Sequence, residues 1–322
     1  MRPILLLGNI EDLSLVYVGW LAHRTGVPTI QLSEETLGVE WAFRFDDAYR
    51  RVGSIEAYGR TFKFVEILGV FVRFHPHPRL PSGIHLSQSK EQWFLTERRA
   101  ALHHLLESIP TVVVNPPSAG RSNGSKPHQM RRLAQAGFTV PRWIATNDPA
   151  AVHEFTAGCY EHFIVKSCSG LRSHVRRLDN DLMHKLGDQT TPVVVQEYIP
   201  GKDVRVHTVM RRVFPTEVVC PGVDYRFEHE GSKYGVASVP ETIADLCCRV
   251  AEQENLVIAG FDFRVTEEHR WYCLEVNPVP NFLPYEMATG QPIGQTILDA
   301  LQKEPRSPYK NAPSEPTGSI LT

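Results

Sequence analysis

The 322-residue chain is 42% hydrophobic and 22% charged, the composition of an ordinary globular protein with room for two or three domains or subdomains. A formal net charge of −2 removes any global electrostatic case for binding nucleic acid or an anionic membrane, and no apolar run approaches the about 20 residues that a bilayer span takes. Glu11 and Asp12 stand directly behind a short apolar stretch, so the start reads as a buried first strand and not a signal peptide; six cysteines without a CxxC pair point to reduced thiols in the cytoplasm.

In chain order, 3–8 reads as a strand, 14–26 as a helix and 28–32 as a second strand, an opening β-α-β pattern. Gly8 alone is too little for a nucleotide loop. Residues 50–64 alternate as a hairpin does, and 65–74 is continuously apolar, as a buried strand should be. A helix over 88–109 puts Leu95, Leu102, Leu105, Leu106 and Ile109 on one side, and 111–115 follows as a strand. The turn-rich 116–125 marks a boundary. Beyond it come a helix near 126–136 stopped by Gly137, a strand 143–146, a helix from about 149 capped by Asn147 or Asp148, and a strand 162–167. Strands are expected at 192–199, 203–209 and 214–220, helices at 240–255 and 292–303, and disorder in the proline-rich 304–322.

The stretch 261–277, FDFRVTEEHRWYCLEVN, carries the most chemistry. Strand side chains alternate between faces, so Phe261, Phe263 and Val265 oppose Asp262 and Arg264, while Tyr272, Leu274 and Val276 oppose Cys273, Glu275 and Asn277. Matching the apolar faces pairs Val265 with Tyr272 across a four-residue turn, Phe263 with Leu274, and Asp262 with Glu275. A one-residue slip would mix the faces. Directly opposed carboxylates are unfavourable unless something neutralises them. A hard divalent cation such as Mg²⁺ does so, binding one or two carboxylates plus substrate phosphates, and Asn277 offers a neutral third oxygen. A solvated hairpin face carries the same pattern, so the surrounding motifs have to separate the two readings.

Those motifs, AGFDFRV…WYCLEVNPVPN at the end, PRWIATNDPAAVHEF…HFIVKS in the middle, VVVQEYIPGKDVRVHTV between them and NPPSAGRSNGSKPHQMRRLAQAGFTVP at the entry, resemble in the right order the ATP-grasp carboxylate–amine ligases. The resemblance covers roughly 115–300 and is nearest to the branches that add glutamate to a ribosomal protein or crosslink microviridin-type peptides. It implies an α+β ATP-grasp fold, two α/β subdomains clasping ATP (116–195 and 196–303), behind a small α/β domain at 1–115, with a homodimer or homotetramer as the assembly. It also implies ATP with one or two Mg²⁺, or Mn²⁺, on Asp262, Glu275 and Asn277.

The remaining roles follow the same way. Lys166 ends an apolar run and must meet an anion; the resemblance makes that anion the α/β-phosphate. Lys126 opens a helix, where phosphate binding is easy. Gln196, Glu197, Tyr198 and Ile199 form the nucleotide edge, with Glu197 toward ribose or the adenine amino group. Asp203 holds either ribose or Arg205. Arg205 goes to the transferred phosphate or substrate carboxylate, with Arg264 in the same region. Arg172 and Arg176 sit in a loop poorer in glycine than the family's phosphate cover. Arg73 ends a buried strand and touches either an acceptor carboxylate or a salt-bridge partner. His75 and His77 lack a visible third ligand and read as loop residues. The polar, aromatic 222–237 corresponds to a region that helps dock a leader peptide. Three functions compete: ligation on a peptide, ligation of small amino acids, and a non-catalytic nucleotide-binding module, which the intact acidic set disfavours.

Overall fold

The computed structural model describes residues 1–47, 52–170, 175–187, 191–219 and 233–303. Arg172, the expected disordered tail and most of 222–237 lie outside the described residues. The first part of the chain runs β1 (Ile4–Gly8), α1 (Leu13–Arg24), β2 (Thr29–Ser33), β3 (Trp41–Asp47), β4 (Val52–Ala57), β5 (Arg60–Lys63), β6 (Gly69–Arg73), α2 (Gln88–Ser108) and β7 (Val112–Val114). Four of these form a parallel sheet in the order β2-β1-β6-β7. The alternation of β1 divides the packing: Leu5 and Leu7 join Leu102, Leu105 and Leu106 of α2, while Ile4 and Leu6 join Leu15 and Val18 of α1. Each leucine so buried contributes roughly 1.5–3 kcal/mol.

The expected hairpin forms as β4–β5, within a three-stranded sheet β3-β4-β5 and with Tyr58 and Gly59 in the turn at positive φ; the strand after it needs correcting. The strand expected from 65 begins at Gly69, because Phe64–Glu66 closes a 3₁₀ turn in which the Lys63 N–H donates to Glu66 Oε2 at 2.8 Å. That turn leaves Val65 exposed despite its apolar neighbours.

The second part runs α3 (Lys126–Ala136), β8 (Trp143–Thr146), α4 (Pro149–Thr156), β9 (Phe163–Ser167), β10 (Arg176–Arg177), α5 (Asn180–Gly187) and β11 (Val193–Glu197). Gly137 ends α3 at φ 106°, and Asp148 caps α4 by accepting from Ala150 N–H at 2.9 Å. Its antiparallel sheet is ordered β10-β9-β11-β8. The third part runs β12 (Lys202–Val209), β13 (Arg212–Val219), β14 (Lys233–Val236), α6 (Glu241–Gln253), β15 (Ile258–Val265), β16 (Trp271–Asn277), α7 (Leu283–Thr289) and α8 (Ile293–Leu301). Its sheet is ordered β14-β13-β12-β15-β16. The closing helix α8 packs back beside α1 under the first sheet, with Ile293, Ile297 and Leu301 in the same core as Ile4 and Leu6.

The β15–β16 hairpin keeps the expected pairing of Asp262 with Glu275 but not the pairs beyond it. A bulge between Asp262 and Phe263 matches Phe263 with Cys273, Arg264 with Tyr272 and Val265 with Trp271. The cause is packing. Cys273 and Val276 are both buried against Phe261 and Phe263, and two core residues three apart need one extra residue between them. Leu274 is displaced onto the face that carries Glu275, opposite to its expected side.

β16 is an edge strand, and α3 closes its edge with a side chain. The Gln129 amide donates to Val276 C=O at 2.8 Å and accepts from Val276 N–H at 3.1 Å, as a neighbouring strand would. Elsewhere, buried Glu286 of α7 accepts from Tyr17 Oη at 2.7 Å and from Gly294 N–H at 2.6 Å, tying α1 to the start of α8. Burial and the adjacent Glu286 push the Tyr17 phenol up to about 12.

Two outcomes are expected. Gln129→Leu leaves the Val276 N–H and C=O without partners and costs about 1–3 kcal/mol for each in chemical denaturation. Because the folded Tyr17 phenol ionises above its usual 10, its contribution is present below pH 10 and is lost as pH climbs to about 12. Tyr17→Phe therefore flattens that alkaline decline in unfolding midpoint.

Candidate active site

A cleft opens between the β10-β9-β11-β8 sheet and the five-stranded sheet. Lys126, Lys166, Gln196, Glu197, Tyr198, Ile199, Asp203, Asp262, Arg264 and Glu275 all line it, joined by Ile164, Val175 and Leu274. Arg205, Asn277 and Arg73 are not among its lining residues, and Arg172 lies outside the described residues.

Both lysines are buried, Lys126 at 7% exposure and Lys166 at 6%, which removes the reading of either as a solvated cation. Lys166 sits at the fourth position of β9, paired with Val194 of β11. Lys126 is the first residue of α3, with Ser125 as N-cap. Its N–H donates to Cys168 C=O at 2.8 Å and its Nζ to Ser169 C=O, so the helix start is fastened to the loop behind β9. Two buried ammonium groups in one cleft, one of them at a helix N-terminus, make a place suited to a polyanion.

The strand edge leaving β11 carries the expected nucleotide residues. Gln196 is buried, and its Oε1 has no hydrogen-bond partner among the described residues. Tyr198 meets two guanidinium groups, with Arg177 Cζ 3.3 Å and Arg264 Cζ 5.3 Å from its ring centroid. Arg264 also donates to Tyr198 Oη at 2.8 Å, Ile199 C=O at 3.2 Å and Asp203 Oδ2 at 2.7 Å. Asp203, left open between ribose and Arg205, thus holds Arg264.

Arg205 meets a different acid. β12 and β15 run antiparallel, and each carries an Asp-x-Arg triplet, so Asp203 stands opposite Arg264 and Arg205 opposite Asp262. Arg205 Nη1 donates to Asp262 Oδ1 at 2.6 Å, with Arg205 at 5% and Asp262 at 6% exposure. One strand pairing therefore yields two charge pairs. Behind them His207 is fully buried, edge-on to Tyr285 at 4.7 Å; burial, reinforced by Arg205, holds its imidazole well below the usual range, hence neutral.

Asp262 and Glu275 face each other across the ladder and both line the cleft. Asn277 is two residues on; its Oδ1 accepts from Val279 N–H at 2.9 Å and retains a second lone pair. No group of three or more His, Cys, Asp or Glu among the described residues makes a metal site by itself. The donor set is two carboxylates and a neutral amide oxygen, the all-oxygen chemistry that Mg²⁺ takes, and these residues fit that ion.

Arg73 holds Asp12 Oδ2 through Nε and Nη2, each at 3.1 Å, and reaches Pro280 C=O at 3.2 Å. Asp12 in turn caps α1. Arg73 thus ties the first sheet to the loop after Asn277, and its salt-bridge alternative is the one formed. Sequence reasoning missed Asn115, whose side chain donates to Ile258 C=O and Pro278 C=O and accepts from Val257 and Ile258 N–H. It also missed Gln129. The only signal for Gln129 was its place one helical turn after Lys126. The two Asp-x-Arg triplets were visible, but their pairing needs the strand order.

The ATP-grasp domain model matches residues 123–281. A "Probable alpha-L-glutamate ligase" of Chromohalobacter salexigens is 23% identical over 291 residues, 84% of this chain and 95% of that protein. Another so named, from Shewanella halifaxensis, is 27% identical over 117 residues, 35% of this chain and only a quarter (25%) of that protein. Among solved structures, a Chryseobacterium gregarium RiPP-associated ATP-grasp ligase, complexed with ADP and a leader and core peptide, superposes with a TM-score of 0.81. It is 19% identical and covers 94% of this chain and 96% of that one. The macrocyclase MdnC of Microcystis aeruginosa, bound with precursor peptide MdnA, gives 0.78 at 19% identity over 93% and 99%. Residues 123–281 are an ATP-grasp domain, and the chain as a whole has the ATP-grasp fold.

Proposed function

We propose that this protein is an ADP-forming ligase that activates a carboxylate of a ribosomally made peptide as an acyl phosphate and joins it to an amine or a hydroxyl. The observation that carries the reading is the pairing, in one cleft, of two buried lysines with two cross-strand carboxylates. A metal-bound triphosphate suits both sets at once, offering anionic oxygens to the lysines and a cation to the carboxylates.

In this reading Lys126 and Lys166 hold the phosphates, and Gln196 through Ile199 take the nucleoside, with Glu197 toward the ribose. Tyr198, held by Arg177 and Arg264, keeps that edge rigid. Mg²⁺ held by Asp262, Glu275 and Asn277 would supply charge neutralisation on the triphosphate. Arg205 stands beside the acids to steady the transferred phosphate or the substrate carboxylate. The substrate carboxylate oxygen attacks the γ-phosphorus, and the bond to the β-phosphate oxygen breaks as ADP leaves. An amine or hydroxyl then attacks the carbonyl carbon, the bond to the phosphate oxygen breaks, and inorganic phosphate departs. The residues contribute positioning and electrostatics and keep water out of the cleft. No side-chain nucleophile is required.

Supporting a peptide substrate, several fold neighbours were solved with precursor, leader or core peptides. A second reading, addition of a free amino acid to an acceptor, is favoured by the glutamate-ligase names of the sequence relatives. We assign 1–115 as an N-terminal unit and 116–195 and 196–303 as the two clasping subdomains. The cytoplasm is the proposed compartment, in keeping with free thiols at all five cysteines among the described residues and with no described helix long and apolar enough to cross a membrane.

The test incubates the full chain with Mg²⁺ and ATP, and either Glu-, Asp-, Thr- and Ser-rich peptides encoded beside it or free amino acids. ADP and phosphate release together with loss of one water per new bond on the peptide is expected. Consumption of free glutamate with mass added to an acceptor would favour the second reading, and no nucleotide-dependent product with either would contradict both. Lys166→Ala is expected to weaken nucleotide binding by roughly tenfold or more, since charge-assisted contacts are worth about 1.5–3 kcal/mol; binding of a fluorescent ADP analogue measures it.

A further inference from the structure

Asp262 is both an expected metal donor and the partner of Arg205 at 2.6 Å. Both groups are more than nine-tenths buried, where an uncompensated carboxylate is strongly disfavoured. The guanidinium has a dedicated seat. A Cβ placed on Gly260 would stand 2.2 Å from Arg205 Nη2 and 2.6 Å from its Cζ, so the position exists only because residue 260 has no side chain. Gly260 pairs with His207 on one side and with Asn277 on the other, which lays the arginine head across the ladder beside the metal donors. Neutral His207 adds no second positive charge behind it.

We propose that Arg205, seated over Gly260, is the counter-cation of Asp262 in the nucleotide-free protein, so that the site takes up divalent metal only together with the nucleotide's phosphates. This rests on the reading of Asp262, Glu275 and Asn277 as metal donors. A bare dication arriving beside a fixed guanidinium meets like charge in a poorly screened site. A nucleotide brings the negative charge that offsets the repulsion and gives Arg205 a further acceptor. Metal and nucleotide affinities are then coupled, and by linkage each raises the other by the same factor. Gly260 is a positioning residue for that coupling. It acts through the guanidinium it makes room for.

The probe is Mn²⁺ alone, followed by electron paramagnetic resonance on the full-length protein with and without ADP. The wild-type protein is expected to bind Mn²⁺ more tightly with ADP, by a factor within the roughly 5–150-fold typical of such coupling. Arg205→Gln, which keeps a hydrogen-bond donor near Asp262 but removes the charge, is expected to gain nucleotide-independent Mn²⁺ binding of roughly tenfold or more and to lose most of the coupling. Gly260→Ala, which displaces the guanidinium without removing it, should move in the same direction and serves if Arg205→Gln fails to fold. Added to Arg205→Gln, it should change little further. Wild-type binding of Mn²⁺ that is equally tight without ADP, or no gain in either folded variant, overturns the proposal. Mn²⁺ uptake with ADP that survives Asp262→Asn unchanged would instead remove the metal assignment beneath it.

Discussion

Two strands with the same Asp-x-Arg triplet, run antiparallel, place each aspartate against the other strand's arginine, and the candidate site is arranged around that pairing. Opposite charges directly across a ladder attract, whereas the next pair along, Asp262 with Glu275, repels. Asp262 belongs to both relationships. Its burial is tolerable with Arg205 beside it, yet the arrangement leaves Glu275 facing the same cleft with a like charge opposite. A sheet that placed only apolar residues here would be easier to stabilise. The retained acids and cations concentrate charge where a metal-bound polyphosphate would sit.

The surroundings keep this arrangement in register. Gln129 completes the hydrogen bonding of Val276, the residue between Glu275 and Asn277. Asn115 joins the start of β15 to Pro278, and Arg73 reaches Pro280 from the first sheet. Three side chains from separate parts of the chain thus hold one short segment. Each does so through backbone groups, which a neighbour's change of side chain would leave in place. The first sheet, joined to α8 through the shared core, is therefore part of what positions the acids.

Much of this was legible. The period-2 alternation of 261–277 gave the pairing of Asp262 with Glu275 because that pairing is enforced by which residues are apolar. The bulge at Leu274 was not, since it arises from the three-residue spacing of Cys273 and Val276 against a core assembled from α3 and α6. The position of Lys166 at the end of an apolar run signalled its burial. The partners of the arginines were not visible, because they depend on β12 lying next to β15. Strand β3 was missed although Trp41, Phe43 and Phe45 alternate. Gln129 and Asn115 bind backbone, and that leaves no periodic trace in a sequence.

The most direct test is a crystal structure of the full chain with Mn²⁺ and a non-hydrolysable ATP analogue, with the ion located by its anomalous scattering. The account predicts one or two peaks in contact with Asp262 and Glu275 and with the analogue's phosphates, and the base against Gln196–Ile199. An ordered nucleotide elsewhere, or an ion bound to the phosphates without either carboxylate, would contradict it.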